Sequence, residues 1–247
     1  VKDPALVACS HGTADTDGTA AVSGLVTAVA AAVEVPVSEA YVDVHGPYVA
    51  DVVTGHRGDV VVVPLLLAAG FHVHVDIAEA VAAWPQARVS DALGPDPRLT
   101  SLLVDRLAAV GAGPDDLVLL AAAGSSDDRA ASSVRAAARE LAAARGGRVR
   151  IAYGASRVPR VTEAVARLRE REPDRRVVLA SYLLAAGFFQ RRLHQAGADL
   201  VTAPLLETGL PPDPRLVDLV VERYRQARDP AAPAGPGAGR RSVGPAA

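Results

Sequence analysis

The stretch ALVACSHGT at 5–13 returns, altered, as LVLLAAAGS at 117–125, and that return decides the fold. Each copy is a short apolar run that stops at a small polar turn, with Gly12 matched to Gly124. A run that is apolar at nearly every position, followed by a segment of helical period, reads as a strand buried on both faces. In the first copy this reading gives strands over 5–9, 37–44 and 60–67, and helices over 20–33 and 76–83. Strands of this kind alternating with helices predict a parallel sheet flanked by helices.

The repetition runs on. AYVDVHGPYVADVV at 40–53 matches AYGASRVPRVTEAV at 152–165, so Tyr41 falls on Tyr153 at the same shift of 112 residues as Gly12 on Gly124. VVVPLLLAAGFH at 61–72 matches VLASYLLAAGFF at 178–189, and GPDPRL at 94–99 matches PPDPRL at 211–216, both at a shift of 117. A constant shift with one small insertion is what tandem duplication leaves. The expected architecture is therefore α/β, with two tandem similar domains over 1–110 and 114–228 and an active-site cleft between them. The tail 229–247 is rich in Pro, Gly and Ala with almost no bulky apolar residue, and is expected to stay disordered.

Composition narrows the function. A chain of 247 residues with 50% hydrophobic and 22% charged residues has ample length for a core. Its net charge of -2 argues against nucleic acid, which selects clearly basic surfaces. The single cysteine, Cys9, rules out an intrachain disulfide framework and fits a reducing cytoplasm. No basic segment leads into an apolar run at the N-terminus, so no secretory leader is expected. The longest apolar stretch, 60–70, is too short to span a bilayer and is interrupted by Pro64.

The second copy acts as an internal control for the first. His11 sits over Ala123, Asp43 over Ala155 and His72 over Phe189. Groups needed to hold the fold would be needed twice, and these are not. Each lies at or just past the carboxyl end of a predicted strand, the edge where open α/β sheets bind ligands. Two imidazoles and one carboxylate with open positions suit Fe(II), Co(II), Ni(II) or Zn(II). Read alone, each has a plainer role: His11 as a local hydrogen-bonding residue, Asp43 as an acceptor for backbone N–H. His74 competes with His72, and His45, close to Asp43, could face the cleft; His56 and His194 read as surface residues. There is no phosphate-binding Gly-Lys loop and no Gly-x-Ser-x-Gly elbow. A phosphorylated histidine at SHG would want a neighbouring arginine, and Ser10 stands there instead. AGSSDD at 123–128 offers no base beside its hydroxyls and reads as a helix start.

SHGT at 10–13, YVDVHGP at 41–47 and PLLLAAGFHVHVDI at 64–77 together resemble the sirohydrochlorin chelatases, in their long two-domain form. That resemblance implies insertion of Co2+ or Fe2+, with Ni2+ a further candidate, into sirohydrochlorin for siroheme or cobalamin synthesis. Carried over by motif, His11 and His72 are the catalytic histidines, and His11, Asp43 and His72 handle the metal. Members of the family often have Glu at the Asp43 position, and an Asp reaches one methylene less far. Ser10, Gly12 and Thr13 line the substrate, and Arg191 and Arg192 are candidates for its carboxylates. No permanently bound cofactor, no membrane, a cytoplasmic setting and a monomer are expected. A non-enzymatic metal or tetrapyrrole carrier using the same pocket is the competing reading.

Overall fold

The structure is a computed structural model that describes residues 3–68, 77–82 and 84–229. Among them are two four-stranded parallel sheets. The first contains β1 (Ala5–Ser10), β2 (Val37–Tyr41), β3 (Val60–Pro64) and β4 (Ala87–Val89), in the order β2-β1-β3-β4. The second repeats that order with β5 (Leu117–Ala122), β6 (Val149–Tyr153), β7 (Val177–Tyr182) and β8 (Leu200–Val201), as β6-β5-β7-β8.

Alternation along the central strands sorts the core into layers. Val7 and Cys9 of β1 face α2 (Val49–Gly55) and α3 (Ala78–Ala82), whereas Leu6 and Ala8 face α1 (Thr16–Ala32). In the second half Leu119 and Ala121 face α6 (Val161–Arg171) and α7 (Phe188–His194). Val118 and Leu120 join α5 (Asp128–Arg145) in a core shared by both halves.

That shared core follows from an exchange of helices. The helix that ends the first half, α4 (Pro97–Ala109), packs on α5 and β7 of the second. Its counterpart α8 (Pro214–Arg228) packs on α1 and β3 of the first. Each helix carries the other's partners. Arg98 pairs with Glu222 at 2.8 Å, and Arg215 with Asp105 at 2.7 Å. Arg223 donates to the Ala92 carbonyl at 3.0 Å, and its counterpart Arg106 donates to the Leu205 carbonyl at 3.2 Å. Between the halves, the buried Tyr182 hydroxyl donates to the Leu67 carbonyl at 2.9 Å, and Gly94 leaves room for both.

The N-caps of these exchanged helices make the seam sensitive to acid. Burial acts to raise the Asp96 carboxyl, but hydrogen bonds and charge from Arg98, with Arg223, hold it below the usual carboxylate range. Arg215 does the same for Asp213. Both groups thus stay charged in the folded protein where the unfolded chain already takes up protons. The stability they contribute is complete above the unfolded value of about 4 and is lost as pH falls through the lower folded values. The unfolding midpoint is expected to be flat from about pH 7 to about pH 5 and to drop below about pH 4. In Asp96→Asn that drop should be shallower; an unchanged acid slope in thermal melts would place the proton uptake elsewhere.

Several element boundaries differ from expectation. The helix predicted from residue 20 begins at Thr16, because the Asp15 carboxylate caps it by accepting from the Gly18 N–H at 3.1 Å. β2 ends at Tyr41 rather than at 44, since the chain turns there and Val44 takes φ 71°. β3 ends at Pro64 rather than at 67; proline has no N–H to continue a ladder. Of the helix predicted over 76–83, α3 covers Ala78–Ala82, while Asp76 and Ala83 lie outside the described residues, as does the tail 230–247.

Candidate active site

The carboxyl ends of both sheets open into one cleft of about 650 Å³, within the usual range for small-molecule sites. Ser10, His11, Gly12 and Thr13 line it from the first half, and Gly124 and Ser125 face them from the second. Apolar groups cover much of the remaining wall, Leu65 and Leu183 among them.

Two loops on each side have the same backbone. Gly12 takes φ 97° and Gly124 φ 96°. The Asp43 N–H donates to the His11 carbonyl at 3.0 Å, and the Ala155 N–H to the Ala123 carbonyl at 2.8 Å. Tyr41 N–H donates to the Pro47 carbonyl as Tyr153 N–H does to Pro159. On this common frame the chemistry differs. His11 projects from the end of β1 as an exposed side chain on the cleft, and its counterpart is Ala123.

The other residues named from sequence fall as follows. Ser10 is buried, and its carbonyl accepts from the Val42 N–H at 2.9 Å. The Thr13 hydroxyl accepts from the Asp15 N–H at 3.1 Å, which commits it to the turn into α1. Asp43 is exposed beside His11; its Oδ1 accepts from the Val44 N–H at 2.7 Å, and it does not line the cleft. Arg191 pairs with Asp15 across the two halves, and Arg192 lies over the Phe188 ring at 5.5 Å. Neither arginine is among the described residues lining the cleft. His72 and His74 lie outside the described residues. Phe189, at the position matched to His72, packs against Gly154, where a side chain would meet its ring at 2.7 Å.

The remaining histidines are engaged locally. His45 packs on the Tyr41 ring, centroids 4.1 Å apart, His56 contacts the Ser38 hydroxyl at 3.3 Å, and His194 contacts the Gln190 amide at 3.2 Å. AGSSDD does start a helix: the Asp127 carboxylate accepts from the Arg129 N–H at 2.8 Å as the cap of α5. Cys9 is buried, and burial pushes its thiol up to about 12, so it supplies no thiolate at neutral pH. Asp15 is held below the usual carboxylate range, chiefly by the Gly18 N–H and further by Arg191, against its partial burial.

Two features were missed from sequence. Tyr41 lines the cleft and donates its hydroxyl to Glu39, which also accepts from the Ser23 hydroxyl at 2.9 Å. Burial and the Glu39 carboxylate push Tyr41 up to about 12, so it acts as a fixed neutral hydroxyl. Arg157 also lines the cleft, and the repeat held the signal for it, because it occupies the position matched to His45.

The CbiX family model matches residues 5–110 and again 117–227. The chain belongs to the CbiX family. Solved structures agree with the two-domain chelatase-like fold. SirB from Bacillus subtilis with Fe3+ superposes with a TM-score of 0.75 at 18% identity, covering 93% of this chain and 97% of SirB. The sirohydrochlorin chelatase SirB from Bacillus subtilis subspecies spizizenii, in complex with cobalt, gives 0.73 at 17% identity, with 93% and 97% covered. CbiX, the terminal enzyme for biosynthesis of siroheme in denitrifying bacteria, gives 0.66 at 22% identity, with 91% and 99% covered. A search of curated proteins finds no match. The CbiX assignment covers both copies of the repeat, while the imidazole described at a strand end belongs to the first copy alone.

Proposed function

We propose that this CbiX-family protein inserts a divalent metal, Co2+ or Fe2+, into sirohydrochlorin. The observation that carries the reading is the exposed His11 on the cleft, set on a backbone that the second half reproduces around Ala123. An imidazole that the fold does not need is there for chemistry.

Metal insertion requires the two pyrrole N–H bonds to break. Each nitrogen keeps its electron pair and forms its bond to the metal with it, and the protons leave to a base. An imidazole with a pKa near neutrality suits both tasks, holding the cation when neutral and accepting a proton as the metal departs. His11 performs these from the end of β1, with His72 as the second imidazole. Asp43 assists from the adjoining loop: its Oδ1 holds the Val44 N–H, and its Oδ2, without a hydrogen bond among the described residues, is left for a cation or its water. Ligation of this kind is incomplete, and so lets the metal pass to the macrocycle. Ser10, Gly12 and Thr13 shape the floor under the ring, and Arg191 and Arg192, which follow the cleft-lining stretch 187–190, are offered as cations for substrate carboxylates. One chain supplies both walls, so a monomer suffices. No described helix is long and apolar enough to cross a membrane. The single cysteine fits the cytoplasm, to which we assign the activity.

The test is anaerobic conversion of sirohydrochlorin with Co2+, and separately Fe2+, followed by the visible spectrum. Acceleration over the uncatalysed rate is the expected result. Tight stoichiometric binding of tetrapyrrole without turnover would instead make the protein a carrier.

A further inference from the structure

The cleft wall contributed by the second half carries a guanidinium, whereas the matched imidazole of the first half packs on the Tyr41 ring and is not among the described residues lining the cleft. Arg157 matches His45 at the shift of 112 residues, on loops with the same backbone hydrogen bonds. Its Nε donates to the Ser125 carbonyl at 2.6 Å, and its Nη2 donates to the Ser126 carbonyl at 3.0 Å. Two carbonyls of the loop entering α5 thus fix the plane of the group. Nη1 takes no partner among the described residues. The one carboxylate it meets among the described residues, Asp128 at 2.5 Å from Nη2, has a side chain 93% exposed. An ion pair so exposed is weak and readily exchanged.

A guanidinium held in orientation, lining a cleft, with one edge open and a replaceable counter-ion, is built to receive a planar oxyanion in a two-pronged grip. Sirohydrochlorin is rimmed with carboxylates. We propose that Arg157 is a receptor for one carboxylate of the tetrapyrrole and, by taking it, sets which edge of the macrocycle lies against the second half. Asp128 holds the guanidinium in the empty cleft and yields to the incoming carboxylate. The ring is then presented to His11 from the facing wall. This inference rests on the chelatase reading and adds to it an orientation and a selectivity for carboxylate-bearing tetrapyrroles.

Titration of the full chain with metal-free sirohydrochlorin, read by its absorbance, tests this apart from turnover. Arg157→Gln should weaken binding by roughly tenfold or more, the usual scale for a lost hydrogen-bonded charge pair, with the KM for Co2+ unchanged. Arg157→Lys should recover part of the affinity, and Asp128→Asn should bind at least as tightly as the parent because the competing carboxylate is gone. Added salt should weaken the parent more than Arg157→Gln. Unchanged affinity in a folded Arg157→Gln protein would overturn the proposal, as would an Asp128→Asn protein weakened as much as Arg157→Gln, which would make Arg157 a loop clamp. A parent protein that binds no sirohydrochlorin would overturn this inference and the chelatase reading together.

Discussion

Replacing His11 by alanine is expected to lower metal insertion by roughly a hundredfold or more and to leave the fold standing. The loss follows from removing both a metal-holding group and a proton acceptor from the cleft. The tolerance follows from the protein's own second half. Ala123 occupies the matched position, at the end of β5, with the same backbone hydrogen bond from the neighbouring loop. The His11 side chain is exposed, and truncating such a residue changes stability by about half a kcal/mol at most. Activity measured anaerobically beside a thermal melt decides the matter. A His11→Ala protein that melts like the parent and still inserts metal at the parent rate would remove His11 from the mechanism.

Gly12→Ala should have the larger effect on stability. Gly12 takes φ 97°, and a Cβ there would sit 2.2 Å from the Asp43 carbonyl oxygen. Left-handed backbone costs an L-residue about 1–2 kcal/mol, and displacing a packed backbone adds about as much again. A loss of about 3 kcal/mol would lower the melting temperature by roughly 6–12 °C in a chain of this size. Gly124→Ala makes the matched comparison, since its Cβ would meet the Ala155 carbonyl oxygen at 2.0 Å with φ 96°. Both variants should melt early by similar amounts. In Gly12→Ala the loop that must move carries Asp43 away from His11, so metal handling should fall in the folded fraction as well. In Gly124→Ala the displaced loop carries Ala155, and the KM for metal should hold. Equal loss of metal affinity in both would mean that the two walls share the metal.

The repeat made much of this legible in the sequence. The apolar runs at Ala5–Ser10 and Leu117–Ala122 are central strands, and the shared glycine after each, Gly12 and Gly124, takes nearly the same φ in both halves. His11 stood out because Ala123 lies opposite it. The helix exchange was hidden for the same reason that the repeat was visible. GPDPRL and PPDPRL announce two similar helices, and similar helices carry no label saying which of two similar sheets each will cover. Long-range pairs such as Arg98 with Glu222 belong to tertiary packing, which periodicity does not encode. The turn at Val44 escaped because a β-branched residue in left-handed backbone runs against local preference and is held there by the surrounding loop. Arg157 is unmarked in an arginine-rich chain, and the arginines just after the position matched to His72, Arg191 and Arg192, are engaged elsewhere, the first with Asp15 and the second over Phe188.

Reciprocity in the seam has a consequence for how such a cleft can change. Arg98 reaches Glu222 while Arg215 reaches Asp105, so a residue and its copy trade partners with another residue and its copy. That is the pattern of an isologous interface between identical subunits, here joined end to end. In a dimer of identical chains every substitution appears on both walls of the shared cavity. Once the subunits are one chain, each position varies alone. His11 can then remain on one wall while its copy becomes Ala123, and Arg157 can enter the other wall while its copy, His45, packs on Tyr41. Fusion of the subunits gave a two-fold symmetric cavity a direction.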